Sequence, residues 1–237
     1  ILEEETNKRL KEQYSDHMIL GLNYSIIFSN QETTGLKNFE YFRANIETSG
    51  NLLYGLNSLF GSSKSPEGYY ELVGVRYSQY VRADFDFRQY YMMKNRKSSL
   101  ATRIYVGLGL PYLNSEEIPY ERGFYAGGAN GMRGWAFRTL GPGSFNGTDQ
   151  YERIGDIHLE YNLEYRFPIY NFFHGAIFAD LGNIWTYNQS ETFPNGQFKF
   201  NRFYKEIATD LGFGFRFDFQ FFIFRIDFAA PIVDSSY

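Results

Sequence analysis

Cysteine is absent from the 237 residues, which excludes a disulfide framework and any metal site built on thiolate ligands. Only three histidines occur, His17, His158 and His174, and their positions show no metal-ligand spacing. We therefore expect no metal site, and no motif in the sequence implies a cofactor.

The chain also lacks a long apolar run and a large charge of either sign. No stretch of about 18 apolar residues is present, which excludes a membrane-spanning helix. The formal net charge is -4, and the lysines and arginines are scattered, so the composition does not indicate a nucleic-acid partner. The charged first residues, ILEEETNKRLKEQ, do not form a signal peptide, so we expect the chain to begin downstream of a true N-terminus.

Aromatic residues are abundant: they make up 20% of the chain, with 21 tyrosines and 25 phenylalanines. The mean hydropathy is nevertheless only -0.41. This combination is typical of a transmembrane β-barrel, in which alternate residues of each strand face lipid and aromatic girdles mark both membrane interfaces. The composition therefore favours an all-β, antiparallel transmembrane barrel.

Apolar and polar residues alternate with a period of two along most of the chain, as expected for strands with one apolar and one polar face. In the segment from Arg153 to Tyr170, for example, Leu159, Tyr161 and Leu163 alternate with charged or amide side chains. The pattern predicts about eight strands of roughly ten residues, enough for a tilted bilayer span. They lie near 18–28, 42–48, 81–87, 100–110, 153–170, 174–185, 206–218 and 222–228.

The predicted connections alternate strictly between short and long. Short ones lie near 31–36, 94–98, 170–172 and 218–220, and long ones near 51–76, 113–152 and 188–204. Outer-membrane barrels have short periplasmic turns and longer extracellular loops, so 113–152 is predicted to be an extracellular loop. A soluble β-sandwich is the alternative, although its strands are usually only about 5–6 residues long.

The segment GGANGMRGWAFRTLGPG, residues 127–143, breaks the alternation. A phosphate-binding loop is disfavoured, because neither Gly-Lys-Ser/Thr nor a helical pattern follows. A mobile surface loop is a simpler alternative, but Met132 and Trp135 would be costly in water. Glycines allow the backbone to approach a wall closely, and Arg133 in such a segment is suited to a buried carboxylate, which its rigid fork can bind bidentately.

These residues resemble the Arg-Gly-aromatic loop motif of the BamA/TamA-type outer-membrane assembly and translocation superfamily, which carries the bacterial surface antigen domain. The matching positions are Gly127, Gly128, Met132, Arg133, Gly134 and Trp135. The extension RTLGPG, residues 138–143, resembles the TamA-like branch more than BamA itself. The resemblance covers the chain well from Tyr80 to the C-terminus and loosely before it.

In that family the loop folds back into the barrel lumen, and its arginine meets acidic and aromatic groups on the next two strands. The positions of this chain that match those wall groups are Glu164, Phe178 and Asp180. The two-residue period places all three on polar faces by an independent route. The resemblance thus implies an internal latch centred on Arg133 and Asp180. The alternative is that the acids are ordinary lumen charges paired with Arg166 or Arg216.

The resemblance implies a non-enzymatic factor of the bacterial outer membrane that assembles, inserts or translocates proteins through a lateral seam of the barrel. Its partners would be the outer-membrane lipid bilayer, unfolded outer-membrane or exported client proteins, and periplasmic or lipoprotein subunits. A gated or passive channel with a lumen-constricting loop is the alternative. An enzyme is disfavoured, because no Ser-His-Asp arrangement can be identified.

The same resemblance implies that residues 1–237 are part of one barrel domain. In the family the motif loop follows the eleventh of sixteen strands, so this chain would hold about eight strands, the eighth to the fifteenth. It would then lack the closing strand and the POTRA domains, and its first residues would be the end of an earlier loop. A self-contained eight-stranded barrel is the alternative, but side chains fill so narrow a lumen and leave no room for a loop of about 40 residues.

Overall fold

The computed structural model describes residues 16–32, 37–94, 97–147, 153–219 and 221–236. The resemblance implied that the first residues are the end of an earlier loop, and residues 1–15 lie outside the described range. The regular elements are β1 (His17–Met18), β2 (Gly21–Ser29), β3 (Phe39–Ser49), α1 (Asn51–Leu59), β4 (Glu71–Leu72), β5 (Val75–Tyr77), β6 (Tyr80–Met92), β7 (Ser99–Pro111), β8 (Ile157–Tyr170), β9 (Phe173–Trp185), β10 (Ala208–Asp218) and β11 (Ile223–Val233), with 3-10 turns at Tyr120–Arg122 and Phe203–Lys205.

One eight-stranded antiparallel sheet dominates the fold, with the order β11-β10-β9-β8-β7-β6-β3-β2. Each strand pairs with its predecessor in the sheet, so the chain forms a meander with no crossover among these eight strands. The eight strands predicted from the two-residue period are thereby confirmed, and short connections alternate with long ones as expected. The strands are 9 to 14 residues long.

The two faces of the sheet differ in the way that the period predicts. On β8, His158, Glu160 and Glu164 are buried, whereas Tyr161 between them is exposed. The opposite face carries a band of exposed apolar side chains across neighbouring strands. This band includes Ile104, Val106, Leu108, Tyr161, Ile177, Leu211, Phe213 and Phe228. Exposure of such a continuous apolar surface to water is unfavourable, so the face is suited to contact with lipid or with another apolar surface.

Two small features were not predicted from the sequence. Helix α1 follows β3 directly, and a three-stranded sheet of order β1-β5-β4 includes a parallel pair between β1 and β5. Its strands are two or three residues long, too short for a period to be detected, and their pairing depends on contacts distant in sequence. None of the described helices is long and apolar enough to cross a membrane.

The hydrophobic core lies between the long connection from β7 to β8 and the polar face of the sheet. The buried cluster consists of Tyr105, Phe124, Ala126, Met132, Leu140, Ile184 and Ala208. Four of these residues come from the connection itself, so the segment packs as part of the protein interior. The mobile surface loop considered for it is therefore not what the structure contains.

Candidate functional site

The outgoing and returning arms of the connection between β7 and β8 lie side by side and run antiparallel. Backbone hydrogen bonds join Phe124 to Gly155 in both directions at 2.8 Å, and Ala126 forms an antiparallel bridge with Leu140. We call residues 126–140 the loop tip. Its two ends are therefore fixed side by side, and the motif residues lie between them.

Glycines shape the loop tip at the point where it turns. Gly127 and Gly128 have φ angles of 100° and 96°, a region that side chains with a Cβ rarely adopt. The Gly128 N–H donates to the Trp135 carbonyl at 2.9 Å, and the Trp135 N–H donates to the Met132 carbonyl at 3.3 Å. The Met132 side chain is fully buried in the core cluster, and Trp135 packs against the same cluster. These contacts fix the backbone that presents Arg133.

Arg133 makes three short hydrogen bonds to two carboxylates on the sheet. Its Nε and Nη2 donate to Oδ2 and Oδ1 of Asp180 at 2.7 and 2.9 Å, and its Nη1 donates to Oε2 of Glu164 at 2.6 Å. The central carbon of the guanidinium lies 3.3 Å from the centroid of the Phe178 ring. The structure thus brings together the arginine and the three wall residues identified from the sequence.

Burial strengthens this cluster of charges. The side chains of Arg133, Glu164 and Asp180 are 8%, 8% and 0% exposed. Burial alone would lower the pKa of Arg133, but its hydrogen bonds and charge interactions with Asp180 and Glu164 outweigh that effect and raise the pKa above its usual value. The arginine stays charged, and removing it would take from the buried Asp180 the cation that binds both of its oxygens.

Phe178 can lie beneath the guanidinium because its neighbour on β10 is a glycine. Gly212 stands opposite Phe178 in the register of β9 and β10, and a Cβ at Gly212 would collide with the Phe178 ring. The two-residue period predicts a polar face here but not this close packing. A glycine opposite an aromatic residue on the polar face is the signal that could have indicated it.

Asp210 is a further contact of the motif that sequence reasoning missed. The Gly134 N–H donates to Oδ2 of Asp210 at 2.8 Å, and a Cβ at Gly134 would lie only 2.7 Å from the Asp210 Cβ. Asp210 stands directly opposite Asp180 in the register and is fully buried. The two-residue period of β10 accounts for its place on the polar face, but its contact depends on the pairing of β9 with β10.

Glu164 also contacts the two arginines that the sequence left open as alternative partners. Arg166 lies 2.7 Å and Arg216 lies 3.0 Å from Oε1 of Glu164, while Oε2 accepts from Arg133. Arg216 in turn contacts Asp227 on β11 at 2.5 Å. Glu164 therefore connects the loop tip to a network of wall charges, and the two interpretations are compatible.

Chemically, this arrangement holds a loop against a wall and offers no activated nucleophile. Within the described ranges, no three side chains of the metal-binding types are grouped so as to hold an ion. The three short hydrogen bonds of the Arg133 side chain end on β8 and β9, and a longer ion pair of 3.7 Å reaches Asp227 on β11. The geometry is therefore that of an internal tether.

Comparison with known proteins identifies one family. The family described as the Omp85 superfamily domain matches residues 20–237. Among solved structures, BamA from Haemophilus ducreyi lacking POTRA domains 1–3 matches with a TM-score of 0.53 at 14% sequence identity. The match covers 90% of this chain and 51% of that one, so the chain spans about half the length of that structure. The comparison with curated proteins found no match. In fold, the sheet is like a fragment of the BamA barrel.

Proposed function

The chain belongs to the Omp85 superfamily, and from this premise we propose that it is a non-enzymatic factor of the bacterial outer membrane that assembles, inserts or translocates proteins. The exposed apolar band supports the membrane location, because each strand is long enough to span a bilayer at a tilt. The polar face would then line the barrel lumen. The short connections would lie on the periplasmic side and the loop between β7 and β8 on the extracellular side.

The observation that carries the proposal is the buried contact of Arg133 with Asp180 and Glu164. In our proposal this contact is a latch that keeps the loop tip inside the lumen and stiffens the wall formed by β8 and β9. A lateral seam elsewhere in the barrel would then be the place that opens. Client strands would pair there with an exposed edge, because open edges offer unpaired N–H and C=O groups.

The proposal includes a barrel larger than these eight strands. The end strands of the sheet, β2 and β11, are not paired with each other among the described residues. An eight-stranded barrel would also be too narrow for the loop tip that lies on the polar face. We therefore place this chain within one barrel domain of about sixteen strands, with further strands and POTRA domains supplied by other parts of a longer chain.

A finer placement in the TamA-like branch rests on the sequence of residues 138–143, RTLGPG. In the structure this segment leaves the loop tip through Arg138, whose φ is 58°, and Gly143, whose N–H donates to the Ile184 carbonyl at 2.7 Å. It therefore fixes the returning arm of the loop against β9. Clients of the TamA-like kind would be exported or outer-membrane proteins, handled together with periplasmic or lipoprotein subunits.

A channel is the second candidate, because the loop tip covers part of the polar face and would narrow a lumen. The two functions differ in what Arg133 does. In an assembly factor it maintains the barrel that receives clients, whereas in a channel it holds a constriction whose removal changes ion flow.

The test uses Arg133→Ala and Asp180→Ala, singly and together, in the full-length protein. Each single change breaks the buried bidentate pair of Arg133 with Asp180, and removing one partner of a buried ion pair costs about 3–5 kcal/mol. In a gel, a folded barrel migrates faster than the unfolded chain. We expect each variant to lose this fast gel migration at a lower temperature than wild type, and to reduce the amount of other barrel proteins in the envelope. The double variant should add little, because both changes remove the same contact.

Lys37→Ala is the control, because it removes a cation from an ion pair with Glu32 whose two side chains are 65% and 55% exposed, and such a surface pair contributes little to stability. It should leave both measurements unchanged. Altered ion conductance with normal barrel migration and normal client levels would favour the channel and contradict the assembly role.

A further inference from the structure

A cavity of about 400 Å³ lies between the loop tip and the polar faces of β6, β7 and β8. Its volume is within the range of ligand sites, roughly 300–1,000 Å³. Arg133 and Glu164 of the tether form part of its wall, and Arg103 and Arg225 in the same wall also donate to the loop tip. The charged lining residues are Arg88, Arg103, Arg133, Arg166, Arg225 and Glu164.

The carboxylates that pair with these arginines lie mostly behind them. The Asp86 side chain is 2% exposed and that of its partner Arg88 is 41% exposed. Glu164 is 8% exposed and Arg166 is 42% exposed. The guanidinium groups therefore face the cavity, while most of the neutralising charges are shielded within the wall. An anion in the cavity would meet a positive surface, although the network as a whole is nearly balanced in charge.

Three of the arginines keep hydrogen-bond donors to spare. Arg166 uses only its Nε, which donates to Glu164. Arg88 donates Nε and Nη2 to Asp86. Arg225 donates Nη2 to the loop tip, and its Nε forms an ion pair with Asp227 at 3.0 Å. Within the described part of the chain, Nη1 of each arginine therefore has no partner. These groups are suited to charge-assisted hydrogen bonds with carboxylates.

The spacing of the arginines indicates an extended ligand. Arg88 stands opposite Arg103 and Arg166 stands opposite Ser99 in the register with β7. Four residues of strand separate these two levels, which corresponds to about 13 Å at roughly 3.3 Å per residue. The positive groups are thus distributed along a length that an extended peptide of about four residues covers. A single phosphate group would need them to converge.

We propose that this arginine-lined cavity binds an acidic peptide segment through its carboxylates. The cavity lies on the face opposite the exposed apolar band, which favours a polypeptide over a lipid headgroup. Arg166 and Arg225 lie near the short connections, and the proposed function places those on the periplasmic side, where clients and partner subunits arrive. The inference rests on the proposed function in this respect.

The test measures direct binding of a labelled peptide to the full-length protein in detergent, with fluorescence anisotropy as the readout. The probe is a glutamate-rich peptide of about six residues, and the control peptide has glutamine at each glutamate. We expect the glutamate peptide alone to bind, with an affinity that falls as salt rises. Arg88→Gln combined with Arg166→Gln should weaken binding about tenfold or more, because charge-assisted hydrogen bonds are lost.

Arg122→Gln is the matched control, since Arg122 is 44% exposed and does not line the cavity, and it should bind the peptide like wild type. Arg225→Gln is a second cavity variant on a different strand, and it should weaken binding severalfold while fast gel migration verifies folding. Equal binding of both peptides, or unchanged binding by the folded cavity variants, would overturn the proposal. Binding of inorganic pyrophosphate without binding of the peptide would also overturn it.

The two proposals fail separately. If the Arg133 variants lose client proteins but wild type does not bind the peptide, the assembly role stands and the proposed peptide site of the cavity is wrong. If wild type binds the peptide but the Arg133 variants keep normal client levels, the peptide site stands and the assembly role of the Arg133 contact is wrong.

Discussion

The contacts of Arg133 depend on the shape of its side chain as well as on its charge. Two nitrogens on one edge of the guanidinium bind both oxygens of Asp180, the third reaches Glu164, and the flat surface lies on Phe178. A lysine ammonium is a compact charge that cannot make this bidentate and stacked set of contacts. The residue that follows is equally constrained, because Gly134 lies against Asp210.

We predict that Gly134→Ala destabilises the folded barrel by about 1–3 kcal/mol, the usual cost of overpacking. The added Cβ would lie 2.7 Å from the Asp210 Cβ, so the loop tip or β10 has to move. The measurement is the unfolding midpoint in urea of the full-length protein in detergent.

Gly55→Ala is the matched control, because a Cβ at this position of α1 meets nothing within 4 Å. It should be neutral or slightly stabilising, since alanine favours a helix over glycine. Asp210→Gly removes the obstructing Cβ, so Gly134→Ala should cost less in that background than in wild type. An equal cost in both backgrounds would show that contact with Asp210 is not the cause.

At the scale of elements, the register of three strands builds the wall beneath the loop tip. Asn162 of β8 stands opposite Asp180 of β9, which stands opposite Asp210 of β10. The side-chain period of a strand is two, so a slip of one residue would move each of these groups to the apolar face. The site therefore depends on pairing as much as on residue identity.

We predict that one alanine inserted between Phe178 and Ala179 abolishes fast gel migration of the folded barrel or lowers its melting temperature more than Asp180→Ala does. The insertion places either Asp180 or Phe178 on the wrong face and disrupts pairing on both sides of β9. The same insertion after Phe200, in a connection where that side chain is 85% exposed, should have little effect. Similar effects of the two insertions would contradict a wall set by register.

At the scale of the whole molecule, the two edges of the sheet define what the rest of the barrel must supply. All nine residues of β2 are exposed, and nearly all of β11 is exposed as well. In a membrane, an edge strand with unpaired N–H and C=O groups is costly, so edges are closed by pairing. This requirement supports a barrel in which neighbouring strands cover both edges.

We predict that amide hydrogen exchange in the full-length protein is slow in β2 and β11, within about tenfold of the rate in β8 and β9 at the centre of the sheet. Pairing with additional strands would protect both rows of amides. Solvent-exposed segments such as residues 60–68 should exchange fast and serve as the internal reference. Exchange in β11 as fast as in that reference would contradict its place inside a closed barrel.

Much of this fold is local in origin, which explains why it could be predicted. The alternation of apolar and polar residues depends only on the geometry of a strand, so it indicated eight strands and their polar faces, including the positions of Glu164, Phe178 and Asp180. Helix α1 and the small sheet were missed, because their short elements carry no period. The latch role assigned to the motif stays a prediction.

The sequence by itself determined which residues are strand-forming, which of them face polar surroundings, and which loop carries a motif, because each property is set by neighbours a few residues apart. Only the tertiary structure decided that Asp210 receives the Gly134 N–H, that Gly212 makes room for Phe178, and that Glu164 is shared by three arginines. It also decided that five arginines, two of them partners of Glu164, line one cavity. These contacts join residues from different strands, and their formation depends on register and close packing, which no local pattern encodes.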